Sequence, residues 1–331
     1  MNYGTFPKTR LRRLRYNSNI RDLVREIHLD VNDLVLPLFI RHGTGIKKPI
    51  ASMPGHYQLS VDHLEEEIHS IIQLGIKNIL VFGIPEHKDA LGQDSYSNNG
   101  IIQTAIQTIK KIAPDLLVTS DVCFCEYTDH GHCGVLTDQH VLDNDKTLEL
   151  LVKQAVSHAQ AGADIIAPSG MIDGMVDAIR TGLDQAGFPM IPILSYSVKY
   201  SSAMYGPFRQ AAEGAPKFGD RSSHMMDMAN TSEAIRECAL DIAEGADMLM
   251  VKPAHMYLDI IYKVKQAYPE LPLGAYHTSG EFAMIKAAAQ NGWVDERSAA
   301  LEVLTAIRRA GADFIITYYA KEAAIWLNKK S

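Results

Sequence analysis

The chain predicts a closed, parallel (β/α)8 TIM barrel preceded by an extended amino-terminal arm. Three observations carry this prediction: eight short apolar, β-branched runs, amphipathic helical patterns between them, and a Gly-Ala-Asp tripeptide that recurs at three helix-to-strand joints.

Residues 1–33 precede the first run and fit no repeat, so they read as an arm, and 34–331 read as one barrel domain. The apolar runs begin at Leu34 (LVLPLFI), Asn78 (NILVFGI), Leu116 (LLVTSDV), Asp164 (DIIAPSG), Ile191 (IPILSYS), Asp247 (DMLMVKP), Leu271 (LPLGAYH) and Asp313 (DFIITYY). Near-continuous apolar strands that alternate with amphipathic segments indicate a parallel sheet covered by helices. Helical spacing is clear from Asp145 to Ala161 and from Asp295 to Ala310, with apolar residues three and four apart. Gly162, Gly245 and Gly311 suit helix C-caps, and each is followed by Ala-Asp and a strand. Periodicity does not show closure, and a doubly wound open sheet shares it. The count of eight favours the barrel.

Between the fifth and sixth runs lies SSAMYGPFRQAAEGAPKFGDRSSHMMDMAN, far longer than the usual joint of about two to six residues. Loops of that size are lids or binding elements, and in a barrel this one sits at the catalytic end.

A chain of 331 residues allows two domains of ~150 residues, but α/β barrels run longer as one unit. Apolar residues make up 47% and charged ones 21%, enough for a sizeable core without a long disordered region. The formal charge of −7 argues against a nucleic-acid partner, which calls for a clustered basic excess. The one basic cluster, Arg10, Arg12, Arg13 and Arg15, reads as a solvated or subunit-contacting segment. No apolar stretch approaches the ~20 residues of a membrane span, and the amino terminus lacks the order of a secretion signal. A cytoplasmic protein without membrane contact is expected. Neither a GxGxxG nor a P-loop pattern follows the early strands, which leaves nucleotide binding little support.

Chemistry concentrates in a few places. Of four cysteines, three (Cys123, Cys125 and Cys133) fall within eleven residues in DVCFCEYTDHGHCG. In a reducing compartment such a cluster favours metal binding over disulfides. Three thiolates from one loop can surround Zn²⁺ and leave a fourth position for water or substrate, whereas structural zinc sites fill all four with protein. His130 and His132 are alternative fourth ligands that would make the centre structural. The place of the cluster beside Asp121, at the end of the third strand, favours catalysis. Cys238 stands apart in a helical stretch and reads as a buried core thiol.

Catalytic groups of such barrels project from the carboxyl ends of strands. Those positions hold Asp121, Cys123, Ser169, Lys199, Lys252, Ser279 and Tyr318. Lys252 ends a buried apolar strand, where a charge is costly unless paired. A salt bridge is one reading; an amine that forms a Schiff base with a carbonyl substrate is the sharper one. An ordinary lysine, with a pKa near ~10.4, is almost wholly protonated at neutral pH, and burial beside a second cation corrects that. Lys199, on the adjacent strand, is placed to be that cation or a second nucleophile. Arg209 and Arg221 in the long loop suit a lid that carries cations to a carboxylate, with solvent exposure as the plainer reading. Phe208, Tyr196, Tyr205 and Tyr276 read as packing at the barrel mouth, some of them lining a pocket.

DVCFCEYTDHGHCG, SYSVKYSSAMYGPFR, KFGDR, MLMVKPA, YHTSGEFAMI and ITYYA, in this order over nearly the whole chain, resemble the zinc-type porphobilinogen synthases, also called 5-aminolevulinate dehydratases. The resemblance implies a homo-oligomeric, usually octameric, barrel with an arm. It implies condensation of two 5-aminolevulinate molecules to porphobilinogen, with loss of two waters, in tetrapyrrole synthesis. By the same resemblance Lys252 forms a Schiff base with the first substrate, in a site that also uses Phe208, Tyr276, Ser279 and Tyr318. Lys199 then binds the second substrate, Arg209 and Arg221 hold its carboxylate, Cys123, Cys125 and Cys133 bind zinc, and Asp121 transfers protons near both lysines. Glu237 matches a position that carries an allosteric Mg²⁺ at the subunit interface in many bacterial members.

The chain departs from the family pattern after GDR: Ser222, Met225 and Met228 stand where lysine, glutamine and proline are usual, and Gly170 where aspartate is frequent. A methionine makes none of the amide's hydrogen bonds, and losing one charge-assisted contact costs ~1.5–3 kcal/mol, which implies weaker second-substrate binding. Two other readings share these residues. One is a paralogue that condenses 5-aminolevulinate with another partner or acts as a zinc-assisted aldolase; the other is a metal-binding barrel without turnover. Retention of both lysines and all three cysteines argues against the last.

Overall fold

The structure, a computed structural model, describes residues 4–328; residues 1–3 of the expected arm and 329–331 of the expected barrel lie outside the described residues. Its strands are β1 (Leu34–Arg41), β2 (Lys47–Pro49), β3 (Tyr57–Leu59), β4 (Asn78–Ile84), β5 (Leu117–Val122), β6 (Ile165–Pro168), β7 (Leu194–Lys199), β8 (Met248–Lys252), β9 (Leu273–His277) and β10 (Phe314–Thr317). All eight expected runs are strands. The short antiparallel pair β2–β3, attached to β1 through β3, has no counterpart in the sequence reading.

The other eight strands run parallel in the order β6-β5-β4-β1-β10-β9-β8-β7. Their two ends meet in a parallel bridge between Ile166 and Ile193, where the Ile166 N–H donates to the Pro192 carbonyl at 3.1 Å. That contact nearly closes the barrel and rules out the open doubly wound sheet. Nearly every residue of these strands is buried, as continuous apolar runs require when helices cover one face and the barrel interior the other.

The Gly-Ala-Asp echo has a physical cause. Gly162 and Gly311 end their helices at φ of 107° and 121°, a left-handed turn that other residues resist. Two residues later the aspartate clasps the start of a neighbouring strand. Asp164 N–H donates to the Val118 carbonyl at 2.9 Å while its Oδ2 accepts from the Val118 N–H at 2.8 Å. Asp247 repeats this with Ile193, and Asp313 with Leu273, each Oδ2 again 2.8 Å from the N–H. Each aspartate thus satisfies backbone groups at the strand starts and sets register across the barrel.

The helices Asp145–Ala161 and Asp295–Ala310 expected from spacing are Asn144–Ala161 and Glu296–Ala310, each capped by the preceding aspartate side chain. Cys238 is fully buried, as expected of a core thiol. Before β1 the chain forms a 3-10 turn over Leu11–Leu14 and a short helix over Ser18–Leu23, with Arg10, Arg12, Arg13 and Arg15 exposed. Phe6, Leu11, Tyr16 and Leu23 are exposed there as well.

Candidate active site

β7 and β8 each end in lysine, and the two are partners in register, so both amines leave the sheet side by side at the carboxyl end of the barrel. Both side chains are buried. Lys252 Nζ lies 4.0 Å from the ring centre of Tyr276, 5.1 Å from Phe208 and 5.3 Å from both Tyr196 and Tyr205. Aromatic faces rather than a paired carboxylate therefore surround it. Burial, reinforced by the Lys199 charge, lowers its pKa from 10.5 into the neutral range. Lys199 Nζ donates to the Ser169 carbonyl.

Asp121, on β5, faces both amines. Burial first, then the Glu126 charge, raises its pKa well above the usual carboxylate range, while the two lysines pull it back. Ser169 Oγ donates to Asp121 Oδ2 at 3.1 Å, and Oδ1 has no hydrogen-bond partner. A carboxyl group poised to carry a proton, with one free oxygen beside an amine of lowered pKa, is equipped for proton transfer.

Tyr276 and Tyr318 hydroxyls lie 3.0 Å apart, both side chains buried. Phe208 donates its backbone N–H to Ser279 Oγ at 2.9 Å, tying the long loop to the helix after β9. His56, in the β2–β3 turn, was not singled out by the sequence. Its Nε2 donates to the Tyr318 carbonyl at 2.9 Å and its ring stands edge-on to Tyr318, while burial lowers its pKa to about 4 and keeps it neutral. Nothing in a Pro-Gly turn signals such a long-range contact.

The three sulfurs of Cys123, Cys125 and Cys133 lie within 4.8 Å of one another, all buried. Gln154 Nε2 fixes the loop from behind by donating to the Cys123 carbonyl at 3.1 Å. Neither histidine joins them: His132 Nε2 lies 3.0 Å from the Phe218 carbonyl, and His130 Nδ1 accepts from the His132 N–H at 3.1 Å. Hydrogen bonds among the thiols pull on Cys133 in opposite directions, and burial adds to bring its pKa to about 11. A buried triad of soft donors fits a thiophilic cation, which displaces such protons on binding.

The long loop is organised rather than open. It makes a turn at Ala203–Tyr205 and a short helix over Gly206–Ala211, then crosses the cysteine loop. Arg221 donates to the Gly131 carbonyl at 2.9 Å and to the Gly214 carbonyl, and Lys217 N–H donates to the His130 carbonyl at 3.1 Å. Gly131, at φ 73°, lies so close to Ala215 that a Cβ there would strike the Ala215 carbonyl. Against the plainer expectation of solvent exposure, Arg221 is buried and Arg209 half-buried. The Nε–H groups of both arginines are buried without partners. Burial, then the Arg221 charge, lowers the pKa of Arg209. An anionic group would satisfy both.

Met225 is buried and packs with the three cysteines and Tyr205 in a cluster separate from the main core; Ser222 and Met228 are exposed. Gly170 is buried near the Cys133 carbonyl. Glu237 is half-buried in a cavity of about 540 Å³ shared with Glu233, Asp241 and Asp173. Burial, then those three charges, raises its pKa to about 7.

A parallel barrel with two amines, a carboxyl group and a three-thiol cradle at the carboxyl ends of its strands has the layout of a barrel lyase. The sequence model described as Delta-aminolevulinic acid dehydratase matches residues 8–326. Among relatives, the delta-aminolevulinic acid dehydratase of Halalkalibacterium halodurans is 54% identical over 97% of this chain and 97% of its own. That of Synechocystis is 54% identical over 97% and 99%. A crystal structure of the Toxoplasma gondii enzyme (porphobilinogen synthase), in complex with the reaction product porphobilinogen, superposes with a TM-score of 0.96 at 43% identity, covering 100% of this chain and 96% of that one. The chain belongs to the delta-aminolevulinic acid dehydratase family.

Proposed function

We propose that this enzyme condenses two molecules of 5-aminolevulinate to porphobilinogen, with loss of two waters, in tetrapyrrole (heme) synthesis. The observation that carries the proposal is the register pairing of Lys199 and Lys252 in a buried site, within a chain of this family.

In this reading the neutral amine of Lys252 attacks the ketone of the first substrate and forms a Schiff base with release of water. Tyr276, Tyr318 and Phe208 wall that imine from solvent, and Ser279 orients the substrate. Lys199 binds the second substrate on the neighbouring strand, and Asp121 moves protons between the two. Arg209 and Arg221 hold the second carboxylate, which supplies the acceptors their orphaned Nε–H groups lack. Cys123, Cys125 and Cys133 would hold zinc, whose Lewis acidity would activate the second substrate.

Glu237 and its acidic neighbours form the proposed Mg²⁺ site, where a cation would offset their mutual repulsion. Residues 1–33 act as an arm on the 34–331 barrel, and exposed Phe6, Leu11, Tyr16 and Leu23 suit self-association into a homo-octamer. No helix among the described residues is long and apolar enough to cross a membrane, and a cytoplasmic location is part of the proposal.

The test is pyrrole formation from 5-aminolevulinate, read with an acidic aldehyde reagent. Pyrrole appears with zinc, is lost on chelation and returns with zinc. Absence of pyrrole over a wide substrate range overturns the proposal. The apolar Met225 in place of an amide favours one second reading, a paralogue with another second substrate. Borohydride trapping of 5-aminolevulinate on Lys252 without pyrrole would select it.

A further inference from the structure

Three thiols leave room for one more donor, and a sulfur-bearing side chain, Met225, belongs to the same buried cluster. Cys123, Cys125, Cys133, Met225 and Tyr205 form a small group of buried side chains apart from the main core, so Met225 does not serve that core. The other polar group in the cluster is committed elsewhere, because the Tyr205 hydroxyl donates to the Tyr200 carbonyl at 2.8 Å. The histidine rings of the same loop face backbone carbonyls and one another. Only the Met225 thioether remains as a soft donor in the group.

Its backbone is fixed on both sides. Met225 N–H donates to the Arg221 carbonyl at 3.0 Å, and Met226 N–H donates to the Lys199 carbonyl at 3.1 Å. Ser201 N–H donates back to Met226 at 2.8 Å, which makes a strand-like bridge between Tyr200 and Met226. Met225 is therefore held between the Arg221 turn and the end of β7. A thioether is neutral and soft; it suits thiophilic d¹⁰ ions and binds them more weakly than a thiolate does.

We infer that Met225 supplies a fourth, thioether, donor from the lid to a metal ion held by Cys123, Cys125 and Cys133. The inference rests on the reading of the three thiols as a metal cradle. It gives the lid a direct tie to the metal, and a weak, neutral donor is one that an incoming ligand displaces. Arg221, pinned to Gly131 beside the cysteines, lies in the same segment, so release of Met225 loosens the element that carries the anion-binding arginine.

The test uses the full-length, reduced apoprotein loaded with one equivalent of Cd²⁺, with X-ray absorption at the cadmium edge counting the sulfur neighbours. Wild type has four, and Met225→Leu, which conserves volume, has three. The Cd²⁺ dissociation constant of the variant rises about tenfold. Amide exchange over residues 217–228 slows on Cd²⁺ addition in wild type and less in the variant. Met225→Gln, which also removes one sulfur, serves if thermal melting shows the leucine variant unfolded. Three sulfurs in wild type, with equal Cd²⁺ affinity in the variants, overturns the inference and leaves the cradle standing. Failure of wild type to bind Cd²⁺ stoichiometrically, or unchanged binding by Cys133→Ser, overturns the cradle and the inference together.

Discussion

Lys199 and Lys252 lie opposite one another as the last residues of two neighbouring parallel strands, both buried. Neighbouring strands are only about 4.8 Å apart, so the two amines share one desolvated space. Loss of water first, and then repulsion from Lys199, favours a neutral Lys252, and the ring of Tyr276 at 4.0 Å gives that amine a face to rest on.

Removing the neighbouring cation reverses part of that effect. In Lys199→Met the pKa of Lys252 rises, because a like charge that disfavoured protonation is gone. The acid limb of imine formation with 5-aminolevulinate moves up by about one pH unit, and trapping at neutral pH slows about fivefold. The pH profile of borohydride incorporation at Lys252 measures this.

The same group makes stability depend on pH. Its folded pKa lies below the unfolded value, so the unfolded chain binds the extra proton between the two. The cost of burying Lys252 is full below the folded pKa and fades as pH rises towards the unfolded one. Lys252→Met therefore stabilises the protein more at about pH 6 than at about pH 9. Urea unfolding at the two pH values gives the difference, and an equal gain at both contradicts it.

Close backbone contact between the cysteine loop and the lid requires Gly131. An alanine there meets the Ala215 carbonyl and pays about 1–2 kcal/mol for its left-handed conformation. Gly131→Ala should separate the two loops, raise KM for 5-aminolevulinate and speed amide exchange over residues 214–221. Steady-state kinetics and exchange mass spectrometry report both.

The aspartate clasps carry part of the barrel's register. Asp247→Ala leaves the N–H of Ile193 without the carboxylate it donates to, beside the seam that closes the barrel. A loss of about 1–3 kcal/mol follows, read as a lower midpoint in thermal or urea unfolding with little change in Lys252 trapping.

What the sequence disclosed depends on the range of the interactions involved. Strands buried on both faces must be apolar throughout, so all eight barrel strands were legible as runs. Boundaries were less so: the fifth run was expected from Ile191, but β7 starts at Leu194, after Pro192 has used its carbonyl in the barrel seam. The β2–β3 hairpin has strands of three residues, and β2 is wholly exposed, so no periodic signal marks it. Lys199 and Lys252 stood out because amines are costly at the ends of buried strands, and the cysteines because three crowd into eleven residues, yet contacts between distant segments did not. His56 meets Tyr318 across the fold, Arg221 reaches the Gly131 carbonyl, and Met225 is visible as a missing amide while its place in the thiol cluster is not.

Covalent capture by Lys252 and Lys199 is decided by mapping the amines that react with substrate. The protein is mixed with 5-aminolevulinate, reduced with borohydride, digested and analysed by mass spectrometry. Reduced adducts are expected on Lys252 and on Lys199, with the Lys252 adduct lost in Lys252→Arg and pyrrole formation lost with it. Adducts confined to surface lysines, or pyrrole formation that survives Lys252→Arg, would contradict that capture.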